Sequence, residues 1–183
     1  DFFSSDQELA ELGQRFQSYH VDGMLLVGRA HRASVPFWLA KQQDGMPIIT
    51  IHRSPLHPMI PNVGISQVEV GHMATRHLIE RGCRRIAHVR GFPDRFQGYQ
   101  QALEEADIEF DPDLVCCMSM YDAKELGEQF GAAAGMRFAR ALVDRGVSFD
   151  GLVAQSDAQA VGAINELVRR HHSVPESVRV IGV

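Results

Sequence analysis

The feature that most constrains this chain is an alternation. Short apolar runs, each closed by Gly, Pro or a polar residue, are separated by stretches whose apolar residues return every three or four positions. Met24-Leu25-Leu26-Val27 is a short continuous apolar run of the sort expected when both faces of a strand are covered, and Ile48-Ile49-Thr50-Ile51 and the runs at Arg85 to Val89, Leu114 to Met118, Gly151 to Ala154 and Val178 to Val183 also read as strands. Val63-Gly64-Ile65 reads as a shorter strand after a loop in which Pro55, Pro58 and Pro61 break every period.

Helical periods fill the intervals. Ser5 with Glu8 makes a capping box before Leu9, Leu12, Phe16 and Tyr19, which predicts a helix from about Asp6 to Tyr19. Pro36 pre-sets a second helix through Phe37, Trp38 and Leu39. Ser66 with Glu69 opens a third, ending at Gly82, and a fourth carries Phe96, Tyr99, Leu103 and Ala106. Asp122 with Glu125 predicts a fifth helix running through Leu126, Phe130, Ala134 and Phe138 to Arg145-Gly146, and Ser156 or Asp157 caps a sixth with Ala160, Val161, Ile164 and Leu167. Strands alternating with helices of this length demand parallel sheets with helical crossovers. The fold class is therefore α/β, doubly wound, with ligands expected beyond the carboxyl ends of the strands.

Composition excludes several classes. With 18 Lys+Arg against 23 Asp+Glu the 183-residue chain carries a formal charge of −5, and 45% hydrophobic residues suit a packed globular core. The acidic balance argues against a surface that grips phosphate backbones throughout. No apolar stretch approaches the ~20 residues of a membrane span, and no secretory leader opens the chain. The three cysteines, Cys83, Cys116 and Cys117, are odd in number and fit a reducing compartment, with Cys116-Cys117 read as apolar strand filler.

Enzyme fingerprints are missing. The sequence has no Gly-x-Gly-x-x-Gly after a strand, no phosphate-loop motif and no Gly-x-Ser-x-Gly elbow, and no His/Cys ladder spaced for a metal. No catalytic residue, cofactor or metal ligand is assigned. The informative positions are polar residues that follow apolar strands: His52-Arg53, Arg95, Tyr121 and Ser156-Asp157. Arg offers a planar fork, Tyr an apolar face with a polar tip, and His, Ser and Asp supply donors and acceptors, a set suited to a sugar or small polyol. Each also has a plainer role: Arg95 as a surface salt-bridge partner, Tyr121 as core, Ser156 or Asp157 as a helix cap.

These residues carry a family likeness. Val21-Asp22-Gly23-Met24-Leu25-Leu26, Val63-Gly64-Ile65, Gly71-His72-Met73-Ala74-Thr75-Arg76-His77-Leu78-Ile79 and Gly82-Cys83-Arg84-Arg85-Ile86-Ala87 resemble, in order and spacing, the effector-binding core of the lactose-repressor/galactose-repressor family of bacterial transcription regulators. Arg95-Phe96-Gln97-Gly98-Tyr99, Asp150 to Gly162 and Val174-Pro175 to Gly182 continue the likeness over nearly the whole chain. The resemblance implies a periplasmic-binding-protein-like architecture: two doubly wound lobes, residues 1–65 and 66–183, both partial, with an effector in the cleft between them and hinge closure transmitting its binding. It implies a cytoplasmic, homodimeric, non-enzymatic regulator, a repressor that meets operator DNA through an N-terminal helix-turn-helix absent from this chain. Arg95 matches the family's effector arginine, Tyr121 falls where an aromatic packs on the ligand, Ser156 stands where Asn is usual and His52 where Asp is common, with Asp157 beside them. The last two replacements leave the effector's identity open. An exported sugar receptor on the same fold is the alternative.

Overall fold

The computed structural model describes residues 11, 15, 21–27, 34–52, 55–117 and 131–183. The chain forms two compact units, residues 1–66 and residues 67–183, and each is described by itself. Of the helix expected over 6–19, Glu11 and Arg15 are described and are helical; the rest of it lies outside the described residues.

In the first unit, strand β1 (Met24–Val27) leads to helix α1 (Val35–Gln43), strand β2 (Ile48–Ile51) and the short strand β3 (Asn62–Val63). The strands are parallel in the order β1-β2-β3, with Leu25 opposite Ile49, Val27 opposite Ile51, and Ile51 opposite Val63. Pro36 sits in the first turn of α1 as expected, and Ser34 uses its hydroxyl to accept the Trp38 indole N–H at 2.9 Å instead of capping the helix. Trp38, Ile48 and Ile60 form the buried core on one sheet face, with Met24 and Leu26 packed against it. Residues that alternate with these are exposed: Leu25, Val27 and Val63 are 64%, 76% and 61% exposed. Strand periodicity sends alternate residues to alternate faces, and among the described residues one face packs on this core while the other carries exposed side chains.

The second unit contains helix α2 (Gln67–Glu80), strand β4 (Ile86–Arg90), helix α3 (Pro93–Glu105), a 3-10 turn at Pro112–Leu114 and strand β5 (Val115–Cys117). Helix α4 (Ala132–Asp144), strand β6 (Gly151–Val153), helix α5 (Asp157–Arg169) and strand β7 (Arg179–Ile181) complete it. All pairings are parallel, in the order β5-β4-β6-β7. One face carries α2 and α3 through Ala74, Leu78, Tyr99 and Leu103 against Ile86 and Val153; the other carries α4 and α5 through Ala139, Leu142, Ala163 and Leu167 against Ala87, Val89 and Leu152. Here both faces are covered, as parallel sheets require.

One helix starts later than its pattern predicted. The Asp122 to Phe130 part of that reading lies outside the described residues, but Gly131 is extended (φ −82, ψ 173) and α4 begins only at Ala132. At its other end the unit is tied by charge. Glu166 on α5 has a wholly buried side chain that accepts hydrogen bonds from Arg169 at 2.6 and 2.9 Å, from Arg140 at 3.0 Å and from Arg170 at 3.3 Å. The guanidiniums of Arg169 and Arg140 hold its carboxyl well below the usual carboxylate range.

Candidate functional site

In the second unit β4 and β6 are neighbours, yet the chain leaves β4 into α3 on one face and leaves β6 into α5 on the other. That divergence makes a topological switch point, the place where an open α/β sheet holds its ligands. The first turns of α3 and α5 flank it. Arg95 stands in the first turn of α3, after Phe92 in extended conformation and Pro93 at the helix start. Ser156 caps α5 and Asp157 opens it.

Arg95 is half-buried. Its Nε donates to Gln67 Oε1 at 2.7 Å and its Nη1 to the main-chain carbonyl of Gln155 at 2.7 Å, while the guanidinium lies 5.0 Å from the Phe92 ring centroid. Two fork bonds and a ring contact orient the cation. Ser156 Oγ accepts the Gln159 N–H at 3.1 Å, so its plainer role as a cap is real, and Asp157 is exposed beside it. The structure thus brings Arg95 and the Ser156-Asp157 turn together at the switch point, since the carbonyl that receives Arg95 is that of the residue before Ser156.

His52 belongs to the first unit. It follows β2 directly, donates its N–H to the Val63 carbonyl at 3.1 Å and accepts Asn62 Nδ2 on its own carbonyl at 3.0 Å. Tyr121 and Arg53 lie outside the described residues.

Beneath Arg95 lies a polar cluster that motif reading passed over. Gln155 is 2% exposed and His88 is 1% exposed. The Gln155 N–H donates to Gln159 Oε1 at 2.9 Å, its Nε2 donates to the Val89 carbonyl, and the same Nε2 stands 3.5 Å from His88 Nε2. Among the described residues His88 Nδ1 and Gln155 Oε1 are buried with no hydrogen-bond partner. Burial, followed by the positive charges of Arg95 and Arg90, pushes the His88 imidazole down to about 3, so it is neutral at ordinary pH. Its ring packs 4.7 Å from Tyr99 and 5.6 Å from Phe96, and the Tyr99 hydroxyl donates to the Ile86 carbonyl at 2.9 Å.

A signal for this cluster exists in the chain. His88 is a polar side chain inside the apolar run Ile86 to Val89, and Gln155 is the last residue before a helix cap; buried polar groups at such places need partners, which Gln155 finds in the Val89 carbonyl and Gln159. No group of His, Cys, Asp and Glu among the described residues is placed to hold a metal ion. No helix among them is long and apolar enough to cross a membrane.

Comparison with known proteins bears on the fold. Residues 75–183 match the family model described as a periplasmic binding protein-like domain. The chain is 33% identical, over 96% of its length, to the HTH-type transcriptional regulator CelR of Thermobifida fusca, covering 50% of that protein. It is 25% identical over 92% of its length to the ribose operon repressor of Halalkalibacterium halodurans, covering 47% of it. The chain therefore spans about half the length of these curated relatives. Among solved structures it is similar to a transcriptional regulator CelR-cellobiose complex, at 32% identity and a TM-score of 0.70 over 97% of this chain and 53% of that one. A LacI-family sugar-binding transcriptional regulator from Escherichia coli, at 24% identity and a TM-score of 0.74 over 98% of this chain and 63% of that one, shares the fold. By the matched model, which takes in more than half of its residues, the chain belongs to the periplasmic binding protein-like domain family.

Proposed function

We propose that this chain senses a sugar or related polyol on behalf of a DNA-binding transcription regulator, a repressor that acts in the cytoplasm as a homodimer. The observation that carries the reading is the identity to an HTH-type regulator along almost the entire chain, coinciding with an oriented arginine at the sheet's switch point. The named relatives are regulators, which favours this role over an exported receptor or an enzyme. Residues 1–65 and 66–183 correspond in this reading to two partial lobes. Arg95, Ser156 and Asp157 contact the effector, and His52 and Tyr121 complete the proposed set. Operator DNA is met by a helix-turn-helix outside this sequence, and regulation arises because effector favours one arrangement of the protein over another.

A thermal-shift screen of cellobiose, D-ribose, other sugars, polyols and purines tests the ligand class, because a ligand that binds only the native state raises Tm. Arg95→Ala then weakens the best hit by about 2 to 3 kcal/mol through loss of a charge-assisted bond, read by calorimetry. Unchanged affinity in that variant overturns the assignment of Arg95. Hits confined to purines replace the sugar reading.

A further inference from the structure

The main chains of the two crevice-lining helices are fixed by contact with neighbouring helices. A Cβ on Gly71 of α2 would fall on the Arg95 carbonyl, and a Cβ on Gly135 of α4 would fall on the Gln159 carbonyl. Only glycine permits so close an approach. With both backbones held, the direction of the Arg95 guanidinium depends on what its fork meets. One acceptor is the Gln67 side chain on α2 and the other is the Gln155 main-chain oxygen, each at 2.7 Å.

The Gln155 carbonyl is held by groups on both sides of it. Its residue is anchored at the N–H by Gln159 Oε1 at 2.9 Å and at the side chain by the Val89 carbonyl at the end of β4. Ser156, the next residue, is locked as the cap of α5 by the Gln159 N–H. Gln159 therefore contributes twice, with its amide oxygen to Gln155 and its main-chain N–H to Ser156. Its side chain is fully buried, where an apolar residue of the same length would fill the space but accept nothing.

We propose that Gln159 is a positioning residue for Arg95: through Gln155 it aims the carbonyl that fixes the guanidinium plane, and so sets the direction from which a hydroxyl pair or carboxylate is received. The last step rests on the effector reading of Arg95, whereas the positioning does not.

The test uses the full chain and two readouts. In 15N-labelled native protein the Gln155 amide and the Arg95 Nε–H, assigned by loss of the latter in Arg95→Lys, are expected to exchange slowly with solvent. In Gln159→Met, which keeps length and removes the acceptor, both exchange about tenfold faster or more, whereas amides of β6 keep their protection. Native Gln155 and Arg95 signals that already exchange at the free rate overturn the proposal even where the variant fails to fold, as do signals unaltered in a folded Gln159→Met. The second readout is a double-mutant cycle with cellobiose and D-ribose as probes. Gln159→Met weakens the bound probe about threefold to fivefold alone and adds nothing in an Arg95→Ala background, because contacts that act through one another are not additive. Additive losses overturn action through Arg95. If Arg95→Ala leaves probe binding intact, or neither probe binds, the effector reading fails on that arm and the exchange data still decide the positioning.

Discussion

The two sheets are written in the same language but carry different loads. In β4 the consecutive residues Ile86, Ala87, His88 and Val89 are all buried, because helices lie on both faces of the four-stranded sheet. In β1 and β2 the burial alternates, and Leu25, Val27, Ile49 and Ile51 form an exposed apolar face in mutual register. A run of apolar residues identifies a parallel strand. Whether both faces are covered is decided by elements elsewhere in the chain, and a local pattern does not carry that information.

Substitutions can break or sharpen the contrast. Leu152→Ala in β6, where the side chain is fully buried, is expected to cost about 2 to 5 kcal/mol in urea unfolding. Leu25→Ala, on the open face, should fall within about 0.5 kcal/mol of wild type; equal losses would mean that this face is covered in solution. Gly71→Ala comes next, at about 1 to 3 kcal/mol, since its Cβ must displace the Arg95 main chain. The same change should weaken effector binding, which separates a seat for Arg95 from ordinary packing.

Acid adds a test confined to the four-stranded unit. Folded His88 stays neutral down to about 3, whereas in the unfolded chain it takes a proton near 6.5. Between those values the unfolded state binds more protons, so stability falls as the pH falls, by about 1.4 kcal/mol per pH unit at most. His88→Phe should flatten that slope in pH-dependent denaturation; an unchanged slope would assign it elsewhere. The smallest expected effect is Ile51→Thr, within about 0.5 kcal/mol, with reduced binding of a hydrophobic dye to the open face.

Much of the architecture was legible because helix signals and strand runs are local. Pro36 opens α1, Ser156 caps α5, and Gly82 closes α2 with a φ of +92, each as its residue type requires. The start of α4 was not legible: Asp122 and Glu125 resemble a capping box, but the extended Gly131 breaks the helical path. At the site, Arg95 and Ser156 were visible as polar residues after strands. Gln155, Gln159 and His88 were not, because their roles depend on bonds such as Gln155 to Val89 across 66 residues of chain, and on a main-chain oxygen that has no signature in the sequence.

The helix pairs α2/α3 and α4/α5 meet where glycine lets one main chain rest on the other, at Gly71, Gly98, Gly135 and Gly162. A joint of that kind has no rotamers to exchange and little slack to compress. Each pair should behave as a single stiff strut. A signal generated at the crevice would then travel as the tilt of a whole strut, with little of it dissipated in side-chain rearrangement along the way.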